Sequence, residues 1–272
     1  MTNACPGTLG FLGFGNMGLA IAAGLLDRKI YPPKRVLVFD PESARQAAAR
    51  GMGLRVMETP RELAAASDTL MFAVKPQVWR AAAESLAGAL RQDGLVLSIM
   101  AGVPIAALRA ALGGKAKVIR VMPNTPAMVR AGAAGIAPGP GCGDADAALA
   151  RTIFEAVGVA EIVKEKDLDA ITALSGSGPA YFFLLVECLT KAAVAEGLDP
   201  AVAARLAAQT ALGAGRLLME SGEDAAVLRE RVTSKGGTTF AALETWIAGY
   251  LPAYAAWSLT VAGVFPLAFR FR

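Results

Sequence analysis

Few side chains in this 272-residue chain are suited to catalysis on their own. The chain contains no histidine, which excludes a Ser-His-Asp or Cys-His relay and a His-ligated zinc site. Cys5, Cys142 and Cys188 lie far apart with no CxxC pair, so the sequence predicts no metal site and favours a reducing cytoplasm. The net charge of +4 comes from scattered Lys and Arg, without the dense patch typical of a nucleic-acid binder. The reactive group of any catalysed reaction is therefore expected to come from a bound organic cofactor.

A glycine-rich motif stands near the start of the chain: Gly13-Phe14-Gly15-Asn16-Met17-Gly18. It follows an apolar stretch typical of a strand and precedes one typical of a helix, the context that GxGxxG requires. The first glycine permits a tight turn, the second lets a pyrophosphate approach the backbone, and the third lets helix and strand pack closely. Free N–H groups at the helix start would face the phosphates. The motif predicts a dinucleotide-binding turn; a glycine-rich turn without a ligand is the alternative.

Asp40 lies about 22 residues after the last glycine of the motif. An acidic residue there commonly binds the adenosine ribose hydroxyl and would repel a 2′-phosphate, which favours NAD over NADP. Alternatively, Asp40 caps the next helix, since Pro41 and Glu42 follow it. Arg45, one turn further on, could instead contact a phosphate. The choice between NADP and NAD stays open on sequence alone.

The elements that must position these residues alternate from Leu9 to about Val163. Helical stretches include Met17–Leu26, Glu42–Arg50 and Val78–Arg91. The β-rich stretches between them are Leu9–Phe14, Arg35–Phe39, Thr69–Val74, Leu95–Met100 and Lys117–Met122. This rhythm is typical of βαβ units. It predicts an α/β fold in which residues 1–163 form a Rossmann-like, mostly parallel, doubly wound sheet with helices on both faces.

Residues 164–272 read as an all-helical second domain. The sequence predicts one helix from about Pro179 to Glu196, a second from Pro200 to about Glu220, and a third over roughly Asp224–Val232. This half is very apolar, for example over Ala180–Val186. Long apolar helices that cannot all be buried in one small domain are often buried against a second subunit. We therefore expect a homodimer through the C-terminal half.

Five sequence blocks, in the right order over about residues 8–244, resemble the pyrroline-5-carboxylate reductase family. They are Gly10–Gly18, Ala73–Gln77, Val121–Pro126, Leu174–Tyr181 and Val232–Thr239. The resemblance implies a Rossmann domain, a helical dimerisation domain and assembly that often extends to rings of dimers. It also implies reduction of 1-pyrroline-5-carboxylate to L-proline with NADPH or NADH, the last step of proline biosynthesis.

The same resemblance implies roles for individual residues. Thr239 is the hydroxyl near the ring nitrogen of the substrate and thus the candidate catalytic residue. Ser234 and the backbone N–H groups of Gly236, Gly237 and Thr238 form the cradle for the substrate carboxylate, and Ser175 belongs to the substrate wall. On the cofactor side, the loop Ala73, Val74, Lys75 and Pro76 lies near the nicotinamide ribose, and Asn124 holds the nicotinamide side. For the 232–239 block alone, a Gly-Gly helix break with threonine N-caps is the alternative.

The resemblance ends at about Glu244. Residues 245–269 carry no charged side chain. A run of this length is long enough to span a bilayer, but Pro252 and Pro266 interrupt it and argue against a membrane anchor. A frame change, a tail anchor and a genuine variant remain open explanations. Two other functions also remain open: a dinucleotide-binding protein whose atypical tail has impaired catalysis, and a related β-hydroxyacid dehydrogenase-type reductase, for which Lys191 is the helix-borne lysine.

Overall fold

A computed structural model describes residues 5–86 and 88–245 of the chain. The predictions made for the tail, apart from Glu244 and Thr245, lie outside the described residues. The chain divides into two compact units, Met1–Ser177 and Gly178–Arg272. This division falls within the predicted helical domain, so the boundary at residues 163 and 164 stays a prediction.

The first unit is built on an eight-stranded sheet with the order β3-β2-β1-β4-β5-β6-β7-β8. Strands β1 to β6 are parallel, β7 is antiparallel to β6, and β8 is parallel to β7. The predicted Rossmann-like, mostly parallel sheet is confirmed. The strands are β1 Leu9–Leu12, β2 Val36–Phe39, β3 Arg55–Val56, β4 Thr69–Phe72, β5 Leu95–Ser98, β6 Lys117–Met122, β7 Gly132–Pro138 and β8 Gly158–Ile162.

Helices of the first unit connect these strands. They are α1 Asn16–Asp27, α2 Ser43–Gly51, α3 Pro60–Ala66, α4 Trp79–Ser85, α5 Ile105–Ala111, α6 Asp144–Glu155 and α7 Leu168–Ile171. The first two agree with the predicted stretches within one residue. The predicted helix Val78–Arg91 is wrong in length, because α4 ends at Ser85 and Gly88 adopts a positive φ of 71°, a conformation that does not continue a helix.

Two apolar clusters cover the two faces of the sheet. Phe11, Leu95 and Leu97 belong to one cluster, whereas Phe72 and Val96 belong to the other. Successive residues of β5 thus alternate between two buried faces, as expected for a parallel sheet covered on both sides by helices. This burial fixes the strands whose carboxyl ends form the ligand-binding edge in such folds.

The last part of the first unit packs back onto the sheet beside β6 and β7. Arg120 of β6 is buried and forms ion pairs with Glu165 and Asp169, at 3.7 and 3.6 Å. The Glu165 carboxylate also accepts a hydrogen bond from the Ile105 N–H at the start of α5, at 2.7 Å. Further along, Thr172–Gly176 forms a π turn. The segment therefore joins β6, α5 and the end of the unit.

The second unit is helical in its described part, which confirms the predicted helices. It contains α8 Gly178–Ala195, α9 Pro200–Ser221 and α10 Ala225–Arg231, and residues 238–245 are also helical. Asp199 caps α9 by accepting hydrogen bonds from the Ala201 and Val202 N–H groups, both at 3.0 Å. Such a cap satisfies backbone donors that have no partner within the helix.

The surface of α8 and α9 is strongly apolar in the single chain. Exposed large side chains on these two helices include Tyr181, Phe182, Phe183, Leu184, Leu189, Val194, Leu206, Leu212, Leu217, Leu218 and Met219. Within the described residues, one helical run, Glu165–Ala195, is also long and apolar enough to cross a membrane by length and composition alone. One run of this kind is weak grounds for a membrane span, and an apolar face of this size marks an interaction surface.

Candidate active site

The glycine-rich turn has the geometry that its three glycines predict. Gly13 has a φ of +90°, and a Cβ there would lie 2.8 Å from the Ala73 carbonyl oxygen. A Cβ at Gly18 would lie 3.2 Å from the Gly13 carbonyl oxygen. At Gly15, by contrast, a Cβ would meet no heavy atom within 4 Å. The first and third glycines are therefore required by the protein's own packing, whereas the second leaves open space.

Helix α1 begins directly after this open space. Gly15 is its N-cap, and no side chain caps the helix there. The first N–H groups of a helix have no intrahelical partner and carry partial positive charge, so they bind anions such as a diphosphate. The residues of the turn therefore fit a dinucleotide, although its contacts with Phe14, Asn16 and Met17 stay predictions.

Asp40, directly after β2, holds the glycine-rich turn through a hydrogen bond to the main chain. Its carboxylate accepts a hydrogen bond from the Phe14 N–H at 2.7 Å and another from the Glu42 N–H at 2.9 Å, and the residue is buried. Asp40 thus organises the start of α2, although the N-cap of that helix is Glu42. The contact with Phe14 did not follow from the sequence, because it joins residues 26 positions apart. Its contact with a ribose stays a prediction.

The charges around Asp40 are mixed. Arg45 forms an ion pair with Glu42 at 3.8 Å, and its guanidinium also donates to the Asn16 side chain at 3.4 Å. Gln46 donates to the Asp40 carbonyl at 2.9 Å. Arg45 therefore contacts the glycine-rich turn through Asn16 and is shared with Glu42, and its predicted contact with a phosphate stays a prediction.

The loop after β4 meets the glycine-rich turn. The Ala73 N–H donates to the Leu12 carbonyl at 2.9 Å, which extends the pairing of β4 with β1 by one residue. Val74 is half-buried, Lys75 is exposed, and Pro76 begins a short 3-10 turn. The structure thus brings together two of the predicted cofactor segments. Whether Lys75 contacts a cofactor stays a prediction.

Asn124 lies at the same edge of the sheet, after β6. Its side-chain oxygen accepts a hydrogen bond from the Ala133 N–H at 2.8 Å, and its side-chain nitrogen donates to the Ser175 carbonyl at 3.0 Å. The Ser175 hydroxyl donates to the Ile171 carbonyl at 3.0 Å. Both ends of the Asn124 amide are thus bound to main chain, which the sequence did not reveal. The predicted contact with nicotinamide stays untested.

The predicted substrate loop forms a turn followed by a helix start. Gly236 has a φ of +73°, and the Gly237 N–H donates to the Ser234 carbonyl at 3.0 Å. A Cβ at Gly237 would overlap the Ser234 hydroxyl. Thr238 is exposed and Thr239 half-buried in the first turn of the helix over residues 238–245. A carboxylate cradle and a simple helix break share this geometry, so the roles of these residues stay predictions.

A cavity of about 360 Å³ opens beside this loop. Its lining includes the cations Arg229 and Lys235, the carboxylates Glu230 and Glu244, and Phe240. A mixture of apolar walls and a few charged groups is typical of small-molecule sites. Arg229 and Phe240 were not among the predicted site residues, because each belongs to an ordinary helical pattern that gives no signal of its own.

On α8, Glu187 and Lys191 form an exposed ion pair at 2.5 Å. The hydrogen bond between them raises the pKa of Lys191 and lowers the pKa of Glu187. Each group is thereby held in its charged form. Lys191, the helix-borne lysine that a dehydrogenase-type reaction would require, is therefore engaged in a surface pair of a kind that contributes little to stability.

The doubly wound sheet and its glycine-rich turn define a Rossmann-type oxidoreductase that binds a dinucleotide. Two family profiles match the chain: NADP oxidoreductase, coenzyme F420-dependent, over residues 8–102, and pyrroline-5-carboxylate reductase dimerisation over residues 165–259. The chain is 40% identical to the pyrroline-5-carboxylate reductase of Pseudomonas aeruginosa over 93% of both chains. It is 42% identical to that of Synechocystis over 86% of this chain and 87% of the relative. The chain belongs to the pyrroline-5-carboxylate reductase family.

Solved structures agree with this assignment. A pyrroline-5-carboxylate reductase from Coxiella burnetii superposes with a TM-score of 0.86 at 34% identity, covering 94% of this chain and 96% of that one. The Plasmodium falciparum pyrroline carboxylate reductase with NADP bound gives a TM-score of 0.80 at 30% identity, covering 96% and 95%. Likeness to a 3-hydroxyisobutyrate dehydrogenase of Mycobacterium tuberculosis, at 18% identity and a TM-score of 0.53, extends to the fold alone. The dimerisation profile continues to residue 259, past Glu244.

Proposed function

We propose that this protein is an enzyme that reduces 1-pyrroline-5-carboxylate to L-proline with a reduced nicotinamide dinucleotide, as the last step of proline biosynthesis in the cytoplasm. The observation that carries this function is the similarity over 93% of the chain to a curated enzyme of this name. The intact glycine-rich turn supports it, because the chain keeps the geometry that a dinucleotide needs. A binding protein without turnover and a β-hydroxyacid dehydrogenase-type reductase are not favoured.

The chain's own residues would bind and orient the dinucleotide and the imine. Gly15 and the start of α1 would hold the diphosphate, and the loop Ala73–Pro76 would lie along the nicotinamide half. When bound, the reduced nicotinamide supplies the hydride that the carbon of the ring C=N bond accepts. Ser234 and the N–H groups of Gly236, Gly237 and Thr238 would hold the substrate carboxylate, which fixes the position of that carbon. Thr239 would place its hydroxyl at the ring nitrogen, which carries a proton in the better hydride acceptor.

The direct test is oxidation of NADH and NADPH by the purified protein, measured with and without pyrroline-5-carboxylate. We expect oxidation that depends on the added imine. Folded protein that binds a dinucleotide but shows no rate above background would contradict the function and favour the binding protein.

A second test addresses the catalytic hydroxyl. Thr239→Val keeps the shape of the side chain and removes the hydroxyl, so turnover is expected to fall by about 100-fold, while the affinity for the reduced dinucleotide stays unchanged. Thr152→Val is the matched control, because the Thr152 hydroxyl donates only to the Ala148 carbonyl on the exposed face of α6. Unchanged turnover in Thr239→Val would remove this residue from the reaction.

We also propose that NADH is preferred over NADPH. Two carboxylates, Asp40 and Glu42, lie at the end of β2, where a 2′-phosphate would be bound, and Glu42 pairs with Arg45. Negative charge at this place disfavours a phosphate. We expect a higher kcat/KM with NADH than with NADPH. Glu42→Gln is expected to lower the ratio of kcat/KM with NADH to kcat/KM with NADPH, because Arg45 loses its ion pair with Glu42 and becomes available to a 2′-phosphate. The hydrogen bond from the Phe14 N–H to Asp40 is kept in this variant. A higher kcat/KM with NADPH in the unaltered protein would overturn this preference.

The protein is a homo-oligomer, as its match to the dimerisation profile indicates. We propose that the apolar surface of α8 and α9 is covered by a second copy rather than by a membrane. The profile begins at residue 165 and thus includes the whole run Glu165–Ala195 that is apolar enough to cross a bilayer. No nucleic-acid partner is proposed. We propose that dimers assemble further into rings, and a sedimenting species no larger than a dimer would contradict this.

A further inference from the structure

A hydrogen-bond link connects the loop after β6 with the end of the first unit. Asn124, only 8% exposed, accepts from the Ala133 N–H and donates to the Ser175 carbonyl. A buried amide that lost either partner would carry an unsatisfied polar group. The two hydrogen bonds therefore fix both the loop and the position of the Ser175 carbonyl.

The Ser175 carbonyl needs this partner because of the local helix geometry. In an α-helix it would accept from the N–H of the residue four positions later, but that residue is Pro179, which has no N–H. The helix widens here into the π turn Thr172–Gly176, and the Ser177 N–H donates to the Thr172 carbonyl, five residues earlier, at 2.8 Å. Single π turns of this kind occur frequently at functional sites.

A second contact holds the same turn from β6. A Cβ at Gly176 would lie 2.7 Å from the terminal methyl carbon of Met122. The turn thus lies directly against the last residue of β6, two positions before Asn124. Packing against Met122 and the hydrogen bond from Asn124 act on adjacent residues of one turn.

We propose that Asn124 is a positioning residue that holds the π turn and thereby presents Ser175–Ser177 to the substrate in a fixed conformation. This inference rests on the proposed function, in which Ser175 belongs to the substrate wall. It differs from the role predicted from sequence, in which the Asn124 amide binds the nicotinamide. Substitution of Asn124 distinguishes the two roles. Loss of a positioning residue lowers kcat/KM for the imine, whereas loss of a nicotinamide ligand raises the Kd for the dinucleotide.

The first test is Asn124→Asp, which is nearly identical in shape. The ionised carboxylate still accepts from the Ala133 N–H but cannot donate to the Ser175 carbonyl, so the bond to the π turn is replaced by repulsion between two oxygens. The kinetics are measured at alkaline pH, because a protonated carboxyl could donate to the Ser175 carbonyl in place of the amide. We expect kcat/KM for pyrroline-5-carboxylate to fall by about tenfold or more, while the Kd for the reduced dinucleotide changes less than about twofold. A raised Kd with little loss in the reaction with the imine would overturn the proposal in favour of a nicotinamide contact.

The second test reaches the turn without touching Asn124. Gly176→Ala introduces a close contact with the terminal methyl carbon of Met122. Met122→Ala removes that methyl carbon, so any loss of kcat/KM for the imine in Gly176→Ala is expected to be recovered in the double variant. A loss that the double variant keeps would show that packing against Met122 does not hold the turn, and would overturn this part of the proposal.

Hydrogen exchange separates failure of this inference from failure of the proposed function. Asn124→Asp is expected to speed exchange of the Ser177 amide, whose partner is the Thr172 carbonyl, at a temperature where the protein remains folded. The control variant Thr152→Val is expected to leave that exchange rate unchanged. Faster exchange in a protein without reductase activity would keep the link between Asn124 and the π turn while removing the function, whereas unchanged exchange would remove the link itself.

Discussion

Gly15 is the position in the glycine-rich turn where the protein leaves space that it does not need for its own packing. Gly13 requires a positive φ and lies against the Ala73 carbonyl, so its replacement would disturb the fold. A side chain at Gly15 would instead project into the open region in front of α1. The two glycines can therefore be separated by experiment: one serves the turn and the other serves a ligand.

We predict that Gly15→Val leaves the folded structure intact and blocks the dinucleotide. The expected loss is about 100-fold or more in affinity for NADH, which corresponds to about 2.7 kcal/mol. The measurement is calorimetric or fluorescence titration with the reduced dinucleotide. Gly51→Ala, at the end of α2 and equally open, is the matched control. Undiminished binding in Gly15→Val would contradict the placement of the diphosphate.

Asp68 gives the first unit a dependence on pH. Its carboxylate accepts from the Thr8 N–H at 2.8 Å and from the Thr8 hydroxyl at 2.9 Å, and it pairs with Arg91 at 3.4 Å. The hydrogen bond from the Thr8 N–H is the main cause that lowers the pKa of Asp68 below its ordinary value. Because the folded state holds the charged form, the stabilising contribution is complete above the pKa of the unfolded chain, about 3.9.

As the pH falls below that value and through the lowered pKa of the folded state, this contribution is lost. We predict that Asp68→Asn flattens the loss of thermal stability between about pH 4 and pH 2, although it lowers the Tm at pH 7. Thermal unfolding across this range would measure the effect. The exposed Asp93→Asn is the control. An acid limb for Asp68→Asn that runs parallel to that of the unaltered protein would contradict the assignment.

At the scale of elements, Arg120 links the sheet to the segment after β8 through two ion pairs. It lies in β6, and its partners Glu165 and Asp169 lie before and within α7, while Glu165 also binds the Ile105 N–H of α5. Removal of one member of a buried ion pair leaves the others without compensation. Both carboxylates are partly exposed, so solvent reduces the cost.

We therefore predict that Arg120→Met lowers the free energy of unfolding by about 2 kcal/mol. Chemical denaturation would measure this loss. Arg151→Met removes an exposed pair with Glu155 and is expected to change stability by less than about 0.5 kcal/mol. Equal effects of the two substitutions would contradict a link at Arg120.

The sequence predicts those elements whose residues carry their own local signal. The apolar runs of β1, β2, β4, β5 and β6 identify those strands, and Pro200 marks the start of α9. The sequence predicts no strand at β7, because Gly132–Pro138 is rich in glycine and alanine, which have low strand propensity. It forms a strand because β6 and β8 pair with it on either side, which is information that local sequence does not contain.

The candidate site divides in the same way. The glycine-rich turn was predictable, because all of its requirements lie within six adjacent residues. The hydrogen bonds from Phe14 to Asp40 and from Asn124 to Ser175 join residues 26 and 51 positions apart. Such contacts depend on how strands and helices meet. The π turn was unpredictable for the same reason, although Pro179 removes the N–H that would have closed an α-helix.

At the scale of the whole molecule, the apolar surface of α8 is the surface that we propose a second copy covers. Phe183 is 68% exposed in the single chain, and exposure of several large apolar side chains on one helix is costly in water. A charge placed in the centre of such an interface would be desolvated without a partner. Assembly should therefore be sensitive to a single substitution here.

We predict that Phe183→Glu converts the protein to a monomer or to aggregated material, as measured by analytical ultracentrifugation. Val159→Glu, which replaces an exposed apolar residue of β8, is expected to leave the oligomer intact. Dimers of Phe183→Glu with undiminished stability would place the interface elsewhere. Association of the unaltered protein with lipid vesicles after a salt wash would favour a membrane instead.

The antiparallel direction of β7 determines where the chain leaves the first unit. Strand β8 is parallel to β7 and therefore also antiparallel to β6, and it ends at Ile162, level with Val121 of β6. The segment after β8 then reverses direction, contacts Arg120 through Glu165 and reaches Asn124 at Ser175. Ser177 therefore emerges at the edge that carries the glycine-rich turn. A shift in the register of β7 would therefore move the point at which the chain leaves the sheet, and with it the π turn that precedes Ser177.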